Sequence, residues 1–180
     1  MTDPPDSLIA KANQARREDR LKDAEGLFAE SERLCREAAD QPRLARSLTG
    51  LGQIARDLND PARALRHYRE AAAIYRSLEN APAFAHTIRH VGDILRHHDG
   101  SLKQARECYE EALTIYRGDS GTSRLDLANA IRGLALLNGE AGESEQAKSL
   151  WHEARSLYNA LNVQAGVLES DRQIERLTTK

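Results

Sequence analysis

Aromatic side chains make up only 4% of the 180 residues, and Val, Ile and Thr are scarce. A large sheet would need those residues, because a pleated surface packs best with β-branched and aromatic side chains. The formal net charge is -2. That near-neutrality argues against a dedicated nucleic-acid binder, which would carry a strong basic excess. Only two cysteines occur, Cys35 and Cys108, with no CxxC and no metal-spaced cluster, so both read as reduced thiols. No apolar run is long enough to span a bilayer. The opening MTDPPDSLIAKANQ lacks the apolar centre of a secretory signal, so a cytoplasmic location is expected and no membrane partner.

What is present in abundance is Ala, Leu, Arg and Glu, residues that lose little rotamer freedom in a helix. Their order repeats. ALRHYREAAAIY from Ala64 recurs as ARECYEEALTIY from Ala105 and AKSLWHEARSLY from Ala147. A more diverged copy, AEGLFAESERLC, begins at Ala24, so the intervals are 40, 41 and 42 residues. Four residues after each alanine stands an aromatic: Phe28, Tyr68, Tyr109 and Trp151. Seven after it stands a small residue (Ser31, Ala71, Ala112, Ala154), and ten after it an aliphatic one (Leu34, Ile74, Ile115, Leu157). Those offsets lie on one face of a helix. A small side chain lets a neighbouring helix approach, and the aromatic fills the space beside it.

A second helix precedes each of these. Twelve or thirteen residues before the alanine comes a small residue: Ala12, Gly52, Gly92 or Ala135. Leu51, Val91 and Leu134 stand directly before the last three, and Leu48, Ile88 and Ile131 four before. A glycine inside a helix costs roughly 1 kcal/mol relative to alanine, so its use here points to close helix contact. Asp60-Pro61 reads as an N-cap with proline at the first helical position, and Ser101 to Gln104 as a capping box after Gly100. Asn80-Ala81-Pro82 opens the next unit, and Gly118 to Ser123 reads as a polar loop. The spacing predicts eight paired helices near 6–18, 21–38, 42–58, 61–78, 81–97, 101–117, 123–138 and 143–161. A ninth, near 163–178 and carrying Arg172, Glu175 and Arg176, suits a cap with a polar outer face.

These positions resemble the tetratricopeptide repeat family: the small residue (Gly52, Gly92, Ala135), then Ala64, Ala105 and Ala147, then Tyr68, Tyr109 and Trp151, then Ala71, Ala112 and Ala154. The commonest period of that family is about 34 residues, shorter than the one found here. The proline that usually closes its second helix is also missing. Both features resemble the long-helix branch that includes kinesin light chain. The resemblance implies an all-α fold, a right-handed superhelical array of antiparallel helix pairs: an α-solenoid of about four units and a capping helix. One repeat domain over residues 1–180 is expected, with units near 5–39, 41–79, 81–121 and 123–161 and a cap at 163–178. It also implies a non-enzymatic scaffold or adaptor that holds a protein or peptide in a concave groove.

In the family the first helix of each pair lines that groove. Projected onto this register, the candidate groove residues are Asn13 and Arg16 in the first unit, with Arg17 at the margin. The second unit offers Arg46, Thr49, Gln53 and Arg56, and the third His86, Arg89, Asp93, Arg96 and His97. The fourth offers Asn129, Arg132 and Leu136. Arg16, Arg56 and Arg96 occupy equivalent positions and would form a ladder. Such a ladder suits carboxylates, a C-terminus or Asp and Glu side chains, because the planar guanidinium binds them bidentately. The bland alternative is a solvated face paired with acids of neighbouring helices. The family's Lys and Asn carboxylate clamp does not transfer residue by residue, since only Asn13 and Asn129 could stand in, at non-equivalent positions.

A row of glutamates, Glu30, Glu70, Glu111 and Glu153, follows each repeat alanine by six and reads as solvated or salt-bridged. His86 and His90 could share a helix face, and His97 and His98 end that helix, but no further ligands complete a zinc site, so no metal or cofactor is expected. Gly50 to Ala55 matches GxGxxA in the middle of a predicted helix rather than after a strand, and is rejected as a dinucleotide site. Gly118-Asp119-Ser120-Gly121 resembles a protease nucleophile stretch but falls in a loop between helices. No paired nucleophile and base emerges. The alternative to an adaptor is a self-assembling structural module, or a regulatory or sensor domain acting through oligomerisation, nucleated at Leu136 or an end helix. The expected state is a monomer or weak homo-oligomer.

Overall fold

The computed structural model describes residues 3–97, 101–119 and 121–179. Nine α-helices and no strand occur among them: α1 (Pro5–Arg17), α2 (Leu21–Glu37), α3 (Gln41–Asp57), α4 (Pro61–Ser77), α5 (Ala81–Arg96), α6 (Leu102–Gly118), α7 (Arg124–Glu140), α8 (Ser144–Ala160) and α9 (Gln164–Thr178). Each begins and ends within two residues of its predicted position. His98, Gly100 and Ser120 lie outside the described residues.

The 40-residue interval has a local cause. α2, α3 and α4 are each 17 residues long, and three-residue turns separate them. The middle residue of each turn is left-handed: Asp19, Ala39, Asn59 and Glu79, and later Gly142 and Asn162. The next N–H then reaches back to the carbonyl five residues earlier. Asp40 donates to Cys35 at 2.8 Å, Asp60 to Ala55 at 2.8 Å, and Val163 to Tyr158 at 2.8 Å. This is the Schellman closure, which satisfies the last carbonyls of a helix and reverses the chain. Asp40 and Asp60 also cap the following helices, accepting from the Arg43 and Arg63 N–H groups, and Asn80 caps α5 through Ala83 N–H at 3.2 Å. The capping box expected at Ser101 does not form. Ser101 has ψ near 5°, its hydroxyl makes no cap bond, and it lacks the extended backbone that aims a cap side chain at the first turn. Ser123 instead caps α7 through Asp126 N–H at 3.3 Å.

The chain forms two compact units, one up to Thr87 and one from Ile88. In the first, α1 packs on α2, α2 on α3 and α3 on α4, with α1 also touching α3. In the second, α6, α7, α8 and α9 pack in the same sequential way. Phe28, Tyr68, Tyr109 and Trp151 are all at most 1% exposed. The small leading-helix residues are where those rings lie. A Cβ on Gly52 would sit 2.8 Å from the Tyr68 ring, and one on Gly92 3.1 Å from Tyr109. Still tighter contacts lie two residues earlier: 2.3 Å from Gly50 to Phe28 and 2.4 Å from Gly133 to Tyr109. Tyr109 is thus held between glycines of the leading helix of its own repeat and of the next. The last helix differs on one side. Ser170 and Leu177 are buried, as are the equivalent Ser47 and Ile54 of α3. Where α3 buries Leu48 and Gly52 against its trailing helix, α9 presents exposed Asp171 and Glu175. α9 therefore closes the array with a charged face.

Candidate functional site

In the unit up to Thr87, the leading helices α1 and α3 bound a cavity of about 180 Å³. Asn13, Arg46, Thr49 and Gln53 line it, together with Ile9, Phe28, Gly50 and Tyr75. Four candidates from two helices are thus brought to one depression, with an apolar floor. Thr49 bonds back to the Ala45 carbonyl at 2.8 Å. Burial pushes the Tyr75 hydroxyl's pKa up, against the pull of a hydrogen bond with Thr49.

The arginines of this face carry carboxylates of their own chain. Arg16 donates to Asp57 at 2.7 Å and to Gln53 at 3.4 Å, and Arg56 reaches the other oxygen of Asp57 at 3.5 Å. One carboxylate therefore sits between the two rungs of the ladder that belong to this unit and offsets their repulsion. Arg46 donates to Asp6 at 2.7 Å. Arg17 turns to Gln14 at 2.6 Å.

In the unit from Ile88 the pairing is tighter. Arg96, with a side chain 10% exposed, is held by Glu140 and by His97 Nε2 at 3.0 Å. Arg89 is 9% exposed and donates to Asp93 at 3.0 Å and to His90 Nε2 at 2.8 Å. His90 Nδ1 faces Asp93 at 3.5 Å. The Tyr109 hydroxyl donates to the other Asp93 oxygen at 2.9 Å. Burial alone would raise the Asp93 pKa. The His90 hydrogen bond and the Arg89 charge outweigh it and hold the carboxyl at about 2. Arg132 forms a two-pronged pair with Glu169, both bonds at 2.7 Å. Asn129 accepts from Tyr158 at 2.8 Å, and burial pushes that phenol up to about 12 against the opposing Arg132 charge. Asn129, Arg132, Tyr158 and Glu169 line a second cavity of about 240 Å³ with Leu125 and Val163.

Leu136, offered above as an exposed nucleus for self-association, is half-buried. His86 is half-buried and His97 exposed. Among the described residues, no three His, Cys, Asp or Glu side chains gather in a metal-binding group. Gly50 to Ala55 lies inside α3, and Asp119 accepts from the Gly121 N–H at 2.9 Å in a turn. The glutamate row pairs with arginines away from the candidate face: Glu70 with Arg36 at 2.7 Å and Glu153 with Arg117 at 2.9 Å, while Glu30 holds Arg33 on its own helix.

Two elements of the face escaped the sequence reading. One is the tyrosine eleven residues after the repeat alanine (Tyr75, Tyr116, Tyr158), where the first copy has Cys35. The column is visible in the aligned repeats. The other is the acids Asp6, Asp57, Glu140 and Glu169, which stand 37 to 44 residues from their arginines and which no local spacing reveals.

The model of the tetratricopeptide repeat matches residues 6–77 and 84–160, most of the chain. The chain belongs to the tetratricopeptide repeat family. Solved structures share the fold. BtubC (BKLC) from P. vanneervenii superposes with a TM-score of 0.77 at 21% identity, over 89% of this chain and 67% of that one. A Podosopora anserina protein of nearly identical TPR-like repeats, assigned to the kinesin light chains, gives 0.71 at 13% identity over 99% of this chain and 97% of its own. A single-substitution variant of it gives 0.76 at 14% identity, over 99% of this chain and 88% of its own. No curated protein matches the sequence. Tetratricopeptide repeats are generally non-enzymatic scaffolds for protein–protein interaction. Among the described residues, no helix is long and apolar enough to cross a membrane.

Proposed function

We propose that the chain is an adaptor whose leading-helix face receives a segment of a partner protein, with preference for acidic side chains or a C-terminal carboxylate. The observation that carries this reading is the cavity between α1 and α3. It collects Asn13, Arg46, Thr49 and Gln53 around an apolar floor, with Arg16 and Arg56 joined through Asp57 on the same helices. Amide and guanidinium groups along the edge supply directional donors, and the floor accepts a side chain. Exposed ion pairs contribute about 0–1 kcal/mol, so a ligand carboxylate can replace an internal one at small cost. The remaining candidates, His86, Arg89, Asp93, Arg96, His97, Asn129, Arg132 and Leu136, are the corresponding leading-helix positions of α5 and α7.

A salt titration tests the charge mechanism. Affinity for an acidic peptide should fall as ionic strength rises from about 0.05 to 0.5 M, because the Debye length shrinks to a few ångströms. Arg46→Ala and Arg56→Ala should each weaken binding several-fold. Arg96→Ala should also weaken it, and should lower stability besides, since that guanidinium is almost fully enclosed. Binding indifferent to salt and to all three substitutions would rule the charge mechanism out.

A further inference from the structure

Asp6 stands in the first turn of α1, and each of its carboxylate oxygens takes a different arginine of α3. Oδ2 accepts from Arg43 Nε and Oδ1 from Arg46 Nη1, both at 2.7 Å. Two guanidinium groups three residues apart on one helix thus grip one carboxylate from opposite sides. Arg43 is shared with Asp40 at 2.6 Å. Arg46 has Asp6 as its ion-pair partner and also lines the α1–α3 cavity. Exposure separates this pair from Arg89 and Arg96. The side chains of Asp6, Arg43 and Arg46 are 51%, 44% and 51% exposed, against 9% for Arg89 and 10% for Arg96. Solvent, and therefore a competing anion, reaches all three groups.

We propose that Arg43 and Arg46 form a carboxylate receptor for the partner segment, and that Asp6 is its built-in competitor. The inference rests on the function proposed above and names the site within it. A carboxylate seated on two arginines is the contact an acidic ligand would make, and the chain supplies that contact from within. Exchange of one carboxylate for another conserves charge and hydrogen bonds, so neither state leaves a guanidinium stranded. Because Asp6 is tethered, it competes at a fixed effective concentration, and an external carboxylate binds more weakly by the fraction of time the receptor is already filled.

The experiment is a binding titration of a fluorescent hexaglutamate peptide at low ionic strength. It compares the full chain with Asp6→Asn, Asp6→Asn/Arg46→Ala, and Asp23→Asn, a control that removes one charge from the first turn of α2. Asp6→Asn keeps the shape of the side chain, and thermal unfolding verifies that it folds. Asp6→Asn should bind about two- to fivefold tighter than wild type, in keeping with the small net strength of an exposed pair. The added Arg46→Ala should cancel the gain, and Asp23→Asn should bind as wild type does. Equal or weaker binding by Asp6→Asn overturns the competitor while leaving the adaptor reading in place. An equal gain in Asp23→Asn overturns it too, as a net-charge effect. Absence of binding in every variant overturns both readings.

Discussion

Tyr109 concentrates the chemistry of its repeat in one residue. Its ring lies between Gly92 and Gly133, and its hydroxyl donates to Asp93. Tyr109→Ala should cost about 3–5 kcal/mol in urea unfolding, as buried aromatic truncations do. Tyr109→Phe should cost about 1 kcal/mol, because it removes one hydrogen bond and leaves the packing. Asp93 makes a separate prediction in pH. Its folded pKa of about 2 lies below the ordinary 3.8. The stabilisation is therefore fully present above about pH 4 and is lost as pH falls through 2. A shift of this size corresponds to about 2 kcal/mol. Unfolding followed between pH 5 and 2 should show that loss, and Asp93→Asn should flatten it. Neither effect could be read from Asp93 in the sequence, where it was one groove candidate among fourteen. Its partners Arg89 and His90 are local, but Tyr109 arrives from another helix.

At the scale of the element, a helix plus a three-residue turn with a left-handed centre recurs at Asp19, Ala39, Asn59, Glu79, Gly142 and Asn162. Asp, Asn and Gly tolerate that backbone, whereas Ala39 and Glu79 hold φ of 52° and 53° against the preference of their side chains. Ala39→Gly and Glu79→Gly should each stabilise the chain by up to about 1 kcal/mol, measured by chemical denaturation. Gly133→Ala should do the reverse. Helix propensity favours alanine by roughly 1 kcal/mol, but the new methyl would meet Tyr109 at 2.4 Å, and overpacking costs about 1–3 kcal/mol. The helices themselves were legible in the sequence, since the offsets of four, seven and ten carry the helical period. The left-handed turns were not, because Ala39 and Glu79 are poor signals for them. The failed box at Ser101 shows the same limit. A capping pattern states which donors could be met, and the backbone leading into the helix decides whether they are.

At the scale of the molecule, the charged end of α9 and the paired arginines act through surface electrostatics. Asp171→Leu with Glu175→Gly would restore on α9 the apolar face that α3 buries, and would leave it uncovered. Light scattering should then show more self-association than the wild-type protein gives at the same concentration. The salt dependence proposed for partner binding belongs to this scale as well, since it sums many exposed charges. The sequence by itself determined the helix pairs, their period and the aromatic–glycine seams, because these follow from the spacing of side chains on a single helix. Only the tertiary structure decided which arginines are held and which are open. The acids that hold Arg16, Arg46, Arg96 and Arg132 come from neighbouring helix pairs, and burial, which only packing creates, separates Arg89 and Arg96 from Arg46.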